Sequence, residues 1–548
     1  MKTPTTPITQ TTLAVDAVDA DAPCLGDLVL ALAAMDYGTP LLLRSLGRQG
    51  HAEALAGNPG GADWHVENRA TAEGGSVAPR DVLITRAFFL RMPVDRDDLA
   101  RVLGTSLVDD LFTAGVLSAA PDTAGPTAVR SQVDVRPVAH GAHRPDGSET
   151  LVVSDPDASL EARVPRADHV PGVGQAPLTL LNQIPSTPAG RLLDLGTGSG
   201  VLAMMLDADE TVATDIHHRA LGFARASQRS VADRTIDWRQ GSWFEPVSGE
   251  EFDRIVSNPP FVVGPPLDGQ IYRDSGLDLD DATRTVVQGA VKHLSPGGTA
   301  HMLGAWATSL AESAASRVAG WIPAEGIRAW IVQRDEVTPS FYVRTWTADA
   351  SVDLRTEAGQ AQVRRWLDYL SSRDIARIGM GYVHLQRIDG PSEVTFEVVD
   401  SPDLGYFGDE VAEYFTRAEW LTHQDAEDIL DSRFQLRPGL ARENVGLAQS
   451  GTAGDEGTVP RTDPGFRPET IRITRTDGPG FSHDIDEALS SVLAGLAPHG
   501  LSLRDVAGLY CAVNDLDDDE FTRALVPLIV DLVRHGMVLP TALLEDAR

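Results

Sequence analysis

The sequence predicts an α/β protein with an open, mainly parallel sheet at its centre and mainly helical regions on either side. Three stretches carry this prediction. An apolar run at 191–195 enters a glycine-rich turn, Gly196–Gly200, which a helix of small residues follows. A second short strand ends at Asp215, and a later strand ends at Asn258-Pro259-Pro260-Phe261. Short apolar strands alternating with helices are typical of open sheets that bind ligands at the carboxyl ends of their strands.

The glycine-rich turn has the spacing Gly-x-Gly-x-Gly, with Val201 where a dinucleotide fold has its third glycine. Glycine lets backbone N–H groups come close to a ligand because it has no Cβ. Asp194 precedes the first glycine, and its carboxylate would repel a pyrophosphate and attract an ammonium group. S-adenosylmethionine carries an ammonium, a sulfonium and no phosphate. The turn therefore indicates such a ligand, although an ordinary tight turn between strand and helix accounts for the same residues.

Two later features favour the ligand-binding interpretation. Asp215 ends the second strand, where a carboxylate can accept hydrogen bonds from both hydroxyls of a ribose. Pro259 and Pro260 cannot continue a strand, so the chain must leave the sheet at its carboxyl edge. In isolation Asn-Pro-Pro-Phe is most often a turn. In fourth-strand position, after the glycine-rich turn, it indicates a catalytic site.

These residues resemble a known family. Residues 194–200, 215 and 258–261 look like motifs I, II and IV of class I S-adenosylmethionine-dependent methyltransferases. The members with Asn-Pro-Pro-Tyr/Phe methylate planar nitrogens, namely the exocyclic amines of adenine or guanine and the glutamine amide of peptide release factors. The stretch 241–246 resembles the release-factor enzymes, whereas Phe261 in place of Tyr is closer to ribosomal RNA guanine-N2 enzymes. The resemblance covers roughly residues 150–390 and implies a seven-stranded Rossmann-like core.

The resemblance also implies which residues bind the cofactor, S-adenosylmethionine. They are Asp194, Gly196, Thr197, Gly198, Gly200, Asp215, Ile216, Gly241, Ser242, Trp243 and Asn258, with Gly174 and Gln175 as weaker candidates for its methionine end.

The catalytic residues are expected to be Asn258, Pro259, Pro260 and Phe261. The side-chain oxygen of Asn258 and the carbonyl of Pro259 can together accept the two hydrogens of an amino group. The Phe261 ring would stack on the planar target. A long loop follows, in which Tyr272, Arg273 and Asp274 are weak substrate-binding candidates; ordering of the loop is an equally good role for them.

The amino-acid composition limits which metals, compartments and partners are expected for this chain. The chain has 548 residues, a formal net charge of −33, and only two cysteines, Cys24 and Cys511, which are too few for a zinc site or a disulfide framework. The 14 histidines show no metal-ligand spacing, so we expect no metal. No apolar run reaches about 18 residues, so no transmembrane helix is expected, and the polar N-terminus lacks a signal-peptide core. The scarcity of cysteines indicates a reducing cytoplasm. The acidity disfavours binding through phosphates, although a proteome-wide acidic bias explains it equally well.

The pattern of turns and apolar runs predicts four parts. Residues 1–21 are a disordered tail, and 22–150 form a helical, winged-helix-like domain. Residues 151–390 form the methyltransferase domain, with an insertion at about 335–375 whose strip 341–346 is part of a substrate wall or a packed edge strand. Residues 391–548 contain a linker at about 450–468 and a second winged-helix-like module, where acidic Asp515–Glu520 favours a protein partner.

The predicted function is N-methylation of a planar amino nitrogen, with an exocyclic base amine of ribosomal or transfer RNA as the leading substrate. Methylation of a protein glutamine amide is the alternative. A small-molecule methyltransferase and a catalytically silent interaction scaffold are further alternatives. An oxidoreductase is disfavoured because Val201 breaks the dinucleotide spacing.

Overall fold

The computed structural model describes residues 18–71, 78–121, 125–156, 166, 168–231, 234–265, 276–349, 352–399, 405–448 and 466–545. The chain divides into two compact units. The first unit comprises residues 1–181, 187–327 and 336–392, and the second comprises 182–186, 328–335 and 393–548. Of the predicted N-terminal tail, residues 1–17 lie outside the described part, whereas Val18 and Ala20 are buried.

The first unit begins with a helical region. Its helices are Pro23–Ala33, Thr39–Leu55, Pro59–Thr71, Pro79–Ile84 (continued by a π-helical turn, Thr85–Phe89), Arg96–Leu103 and Thr105–Thr113. Short antiparallel strands accompany them, with Val94–Asp95 and Leu117–Ala119 on either side of Ala128–Ser131. A separate antiparallel pair joins Asp134–Ala139 to Glu149–Ser154.

The main sheet of the first unit is the predicted one. Parallel strands lie in the order Leu294–Thr308, Phe252–Ser257, Ala189–Leu195, Ala208–Asp215 and Ile236–Gln240. Arg377–Pro391 runs antiparallel beside Leu294–Thr308. Leu193 pairs with Val212 on one side and Ile255 on the other, and all three side chains are buried. Burial on both faces explains why these strands read as continuous apolar runs. The predicted Rossmann-like α/β core is therefore confirmed.

The helices that accompany this sheet are Gln175–Leu181, Val201–Met205, His218–Gln228, Asp281–His293 and Ala314–Ala319. Two further helices, Pro339–Asp349 and Glu357–Ser372, occupy the predicted insertion. The strip 341–346 is therefore helical, and the edge-strand alternative for it is wrong. The reason is visible in its spacing, because Tyr342 and Trp346 lie four residues apart and fall on one face of a helix.

In the second unit, residues 328–333 of the strand Glu325–Val337 pair in parallel with the strand Glu393–Val398, which was not predicted. Its helices are Gly408–Thr422, Ala426–Asp431, Glu487–Gly495, Leu503–Asn514, Asp518–Arg534 and Thr541–Glu545. One antiparallel pair joins Phe434–Leu436 to Val538–Pro540. A separate three-stranded antiparallel sheet has the order Leu440–Ala448, Phe466–Arg475 and Ser482–Ile485. Of the predicted linker, residues 450–465 lie outside the described part of the chain, whereas residues 466–468 begin a strand.

No helix among the described residues is both long enough and apolar enough to cross a membrane. Nor do these residues bring three or more histidine, cysteine, aspartate or glutamate side chains together in a group that could hold a metal ion.

Candidate active site

The glycine-rich loop, Gly196–Gly200, joins the strand Ala189–Leu195 to the helix Val201–Met205. The N–H groups of Gly196 and Thr197 both donate to the carbonyl of Thr214, at 2.9 Å each, which ties the loop to the next strand. Gly196 and Gly198 have φ angles of +72° and +57°, and a Cβ added at either would meet nothing within 4 Å. The backbone at these two positions therefore borders open space that a ligand can enter.

The side chain of Asp194 forms hydrogen bonds to the glycine-rich loop and to the helix that follows it. Its side chain is buried, and its Oδ2 accepts hydrogen bonds from Thr197 Oγ1 at 2.6 Å and from the Ala203 N–H at 3.0 Å. Burial raises the pKa of Asp194 to about 7, against the lowering effect of those two bonds, and the neighbouring charge of Asp215 adds to the rise. Asp194 thus links loop and helix through a carboxyl group that changes protonation state near neutral pH.

Asp215 ends the second strand at the same edge of the sheet. Its Oδ2 accepts from the Gly198 N–H at 2.9 Å, and its Oδ1 accepts from the His217 N–H at 2.8 Å. Burial raises its pKa, and these bonds counter the rise. Each carboxylate oxygen has two lone pairs, so both oxygens retain acceptor capacity toward the cavity.

The ends of these strands surround a cavity of about 520 Å³. The predicted cofactor residues that line it are Asp194, Gly196, Thr197, Gly198, Asp215, Ile216, Gly241, Ser242, Trp243 and Asn258, joined by Gly174 and Gln175. Gly200 does not line it, because a Cβ there would point at the Trp238 ring, 2.9 Å away, and at Ala224. The described residues that line the cavity include neither lysine nor arginine.

The Asn-Pro-Pro-Phe turn, residues 258–261, faces the same cavity, and all four residues line it. The preceding residue, Ser257, donates from Oγ to the Leu195 carbonyl at 2.8 Å, which ties this strand end to the glycine-rich strand. The structure therefore places the turn beside the glycine-rich loop and Asp215. Tyr272, Arg273 and Asp274, the predicted substrate residues, lie outside the described residues.

The strip 341–346, for which a substrate wall was one of two predicted roles, contributes Trp346 to the cavity wall. The Trp346 ring meets that of Phe261 edge to face, with centroids 6.1 Å apart and planes at 80°. His169–Gly172 and His217 also line the cavity. The four-residue spacing of Tyr342 and Trp346 indicates that both rings lie on one face of a helix. Spacing alone does not show which cavity that face borders.

Comparison with known proteins identifies the family. A family model described as "Methyltransferase small domain" matches residues 172–306, and one described as "Domain of unknown function (DUF7782)" matches 412–540. The release factor glutamine methyltransferase of Xylella fastidiosa (strain Temecula1) is 32% identical over 243 residues, covering 42% of this chain and 85% of that protein. The chain belongs to the class I S-adenosylmethionine-dependent methyltransferases.

Other relatives of this methyltransferase match over shorter spans. The release factor glutamine methyltransferase of Escherichia coli (strain K12) is 36% identical over 103 residues, which are 18% of this chain and 35% of the relative. A solved T. thermophilus 16S rRNA N2 methyltransferase is 19% identical, covering 39% of this chain and 55% of that one, with a TM-score of 0.22. The ribosomal protein L11 methylase of Lactobacillus delbrueckii subsp. bulgaricus is 23% identical, covering 24% and 57%, with a TM-score of 0.18.

S-adenosylmethionine is the cofactor of this methyltransferase, and the cavity fits it. The two open glycine positions give a flat ligand room against the backbone. Among the described residues of the wall, the charged side chains are the carboxylates Asp194 and Asp215, beside histidines and without lysine or arginine. Carboxylates suit a cation that carries ribose hydroxyls, whereas a pyrophosphate requires positive partners.

Proposed function

We propose that this methyltransferase methylates a planar, conjugated amino nitrogen. The observation that supports this proposal is the presence of Asn258–Phe261 on the cavity that also carries the glycine-rich loop, Asp194 and Asp215. Within that cavity, Asp215 would accept hydrogen bonds from the ribose hydroxyls, and the carboxyl of Asp194 would attract the ammonium end. Ile216 and the stretch Gly241–Trp243 would surround the adenine.

The residue types of the turn suit such an acceptor. A conjugated amine is a poor nucleophile because its lone pair is delocalised. The Asn258 side-chain oxygen and the Pro259 carbonyl can accept its two N–H hydrogens, which favours the positive charge that develops on nitrogen during attack. Pro259 and Pro260 have no N–H, so the backbone there presents acceptors only. When bound, S-adenosylmethionine supplies an electrophilic methyl group on a sulfonium. The product cation then loses its proton to water, so no strong base is required.

The first substrate class that we propose is an exocyclic base amine of ribosomal or transfer RNA. The aromatic pair in the cavity wall favours it, because Phe261 and Trp346 form a corner of two rings at 80°. A flat base can stack on one ring and meet the other at its edge, an arrangement worth about 1–3 kcal/mol per stacked base in nucleic-acid sites.

The second substrate class is a glutamine amide in a protein. Two observations favour it, namely the 32% identity to a relative named release factor glutamine methyltransferase and the formal net charge of −33. Binding through a phosphate backbone requires the opposite charge. Both substrate classes occur in the cytoplasm, which we propose as the compartment of the reaction.

Radiolabelled methyl transfer separates the two classes. RNA and protein fractions from a strain that lacks this gene are incubated with purified protein and tritiated S-adenosylmethionine. We expect label in the RNA fraction with wild-type protein and almost none with Asn258→Ala. Label in the protein fraction alone would support the glutamine class and refute the RNA class. Label in neither fraction would contradict the proposed function.

A further inference from the structure

Residues 262–265, which follow the Asn-Pro-Pro-Phe turn, belong to neither helix nor strand, so their backbone groups require partners elsewhere. Val263 is buried, and side chains supply both of its backbone hydrogen bonds. Its N–H donates to the Tyr342 hydroxyl at 2.8 Å, and its carbonyl accepts from Trp366 Nε1 at 3.1 Å. Both partners come from the inserted helices, Pro339–Asp349 and Glu357–Ser372.

The contact between the backbone at residues 263–264 and the Trp366 indole is close as well as polar. A Cβ at Gly264 would lie 2.7 Å from Trp366 Nε1, so the backbone can approach the indole only because this residue is glycine. Tyr342 and Trp366 also meet each other edge to face, with centroids 6.4 Å apart. The two inserted helices therefore hold Val263 from two sides as one packed cluster.

The second inserted helix and the residue after it hold the chain at residues 276–280. Leu279 forms a bridge to Gly264, and its N–H donates to the Tyr369 hydroxyl at 3.3 Å. The Tyr369 hydroxyl in turn donates to Asp278, and Arg373 pairs with Asp278 at 3.1 Å while lying over the Tyr369 ring. The insertion is thus bonded to both stretches that flank residues 266–275.

One helical turn after Tyr342, the first inserted helix places Trp346 in the cavity wall against Phe261. The Tyr342 and Trp346 rings are 5.9 Å apart, so a shift of Tyr342 would also shift Trp346. The residue that bonds Val263 and the residue that borders the acceptor therefore belong to one rigid element.

From this arrangement we propose that the insertion positions the acceptor side of the active site. Tyr342 and Trp366 are positioning residues that fix Val263 and, two residues earlier in the chain, the Phe261 ring. Trp346 is the second aromatic wall for the acceptor. This inference rests on the proposed function, because it assumes that the acceptor faces Phe261. Misplacement by about 1 Å at a reacting centre can cost about a hundredfold in rate.

The test is Tyr342→Phe, which removes only the hydroxyl. Tyr406→Phe in the second unit is a matched control, since the Tyr406 hydroxyl also accepts a backbone N–H, that of Ser186, at 2.8 Å. We measure methyl incorporation into the fraction that wild type labels, S-adenosylmethionine affinity by calorimetry, and hydrogen exchange of peptides that span 258–264. All experiments use the full chain.

For Tyr342→Phe we expect turnover lowered about 10- to 100-fold, cofactor affinity within about twofold of wild type, and faster exchange at 261–264. Tyr406→Phe should match wild type in all three measurements. Trp346→Ala should raise the KM for the acceptor, whereas Trp346→Phe should have a KM close to that of wild type. Similar turnover and exchange in the Tyr342 and Tyr406 variants would overturn the proposal. If wild type labels no fraction, the proposed function fails, and the exchange comparison alone then decides whether Tyr342 holds the turn.

Discussion

Asp194 is expected to make the protein less stable at neutral pH while it strengthens cofactor binding. Asn can accept the same bonds from Thr197 and Ala203 without carrying a charge, so Asp194→Asn isolates the effect of ionisation. Burial raises the pKa of Asp194 from 3.8 to about 7. Because the folded state prefers the protonated carboxyl, the penalty is absent well below pH 4, grows as pH rises, and is fully present above pH 7.

The magnitude follows from the two pKa values. One pKa unit corresponds to about 1.4 kcal/mol, so the penalty is about 1.5–2 kcal/mol at pH 5 and about 4 kcal/mol at pH 8. In scanning calorimetry, Asp194→Asn should therefore unfold at a higher temperature than wild type, by a margin that is larger at pH 8 than at pH 5. A margin that is equal at both pH values, or a variant less stable at pH 8, would refute this reasoning.

The same carboxyl should make cofactor binding depend on pH. A bound ammonium favours ionised Asp194, so wild-type affinity for S-adenosylmethionine should rise as pH increases toward about 7, by up to tenfold per unit, and then level off. Calorimetry in buffers of different ionisation enthalpy should show the release of a proton over this range. Asp194→Asn should bind more weakly and without the slope. A flat wild-type profile would show that Asp194 does not face the cation.

Three further substitutions separate the roles of the site. Asn258→Ala should lower turnover by about two to three orders of magnitude while calorimetry shows nearly unchanged cofactor affinity, and an equally large loss of affinity would contradict its assignment to the acceptor. Asp215→Ala should weaken cofactor binding by about 1–3 kcal/mol, because hydroxyls lose their acceptor; an unchanged dissociation constant would count against this role. Gly200→Ala should lower the melting temperature, since Gly200 has a φ of +86° and its Cβ would lie 2.9 Å from Trp238. An unaltered melting temperature would show that the loop can accommodate the methyl group.

The sheet and its cavity could be predicted because their determinants are local in sequence. A glycine-rich turn after an apolar strand, a carboxylate at the next strand end and two prolines after a third each have few structural interpretations. Parallel strands bring their carboxyl ends to one edge, so residues 194–200, 215 and 258–261 had to meet once the sheet order was given. Gly200 was predicted to contact the cofactor but does not line the cavity. A glycine can be required for close packing as well as for the approach of a ligand, and sequence spacing does not distinguish these two requirements.

The sequence left two roles open for the strip that contains Trp346, a substrate wall or an edge strand, because the choice depends on where the inserted segment packs. Val263 and Tyr342 are 79 residues apart, and no local pattern indicates that an irregular stretch receives both hydrogen bonds from distant side chains. The strand Glu393–Val398 was missed for a similar reason. It is only partly buried and mixes charged with apolar residues, so its apolar periodicity is weak.

A crystal structure with bound S-adenosylmethionine tests the central claim most directly. We expect density for the cofactor over Gly196 and Gly198, its ribose hydroxyls on Asp215, and its methyl group directed at the Asn258 side chain. A cofactor bound elsewhere, or an Asn258 side chain that faces away from the methyl group, would contradict the account.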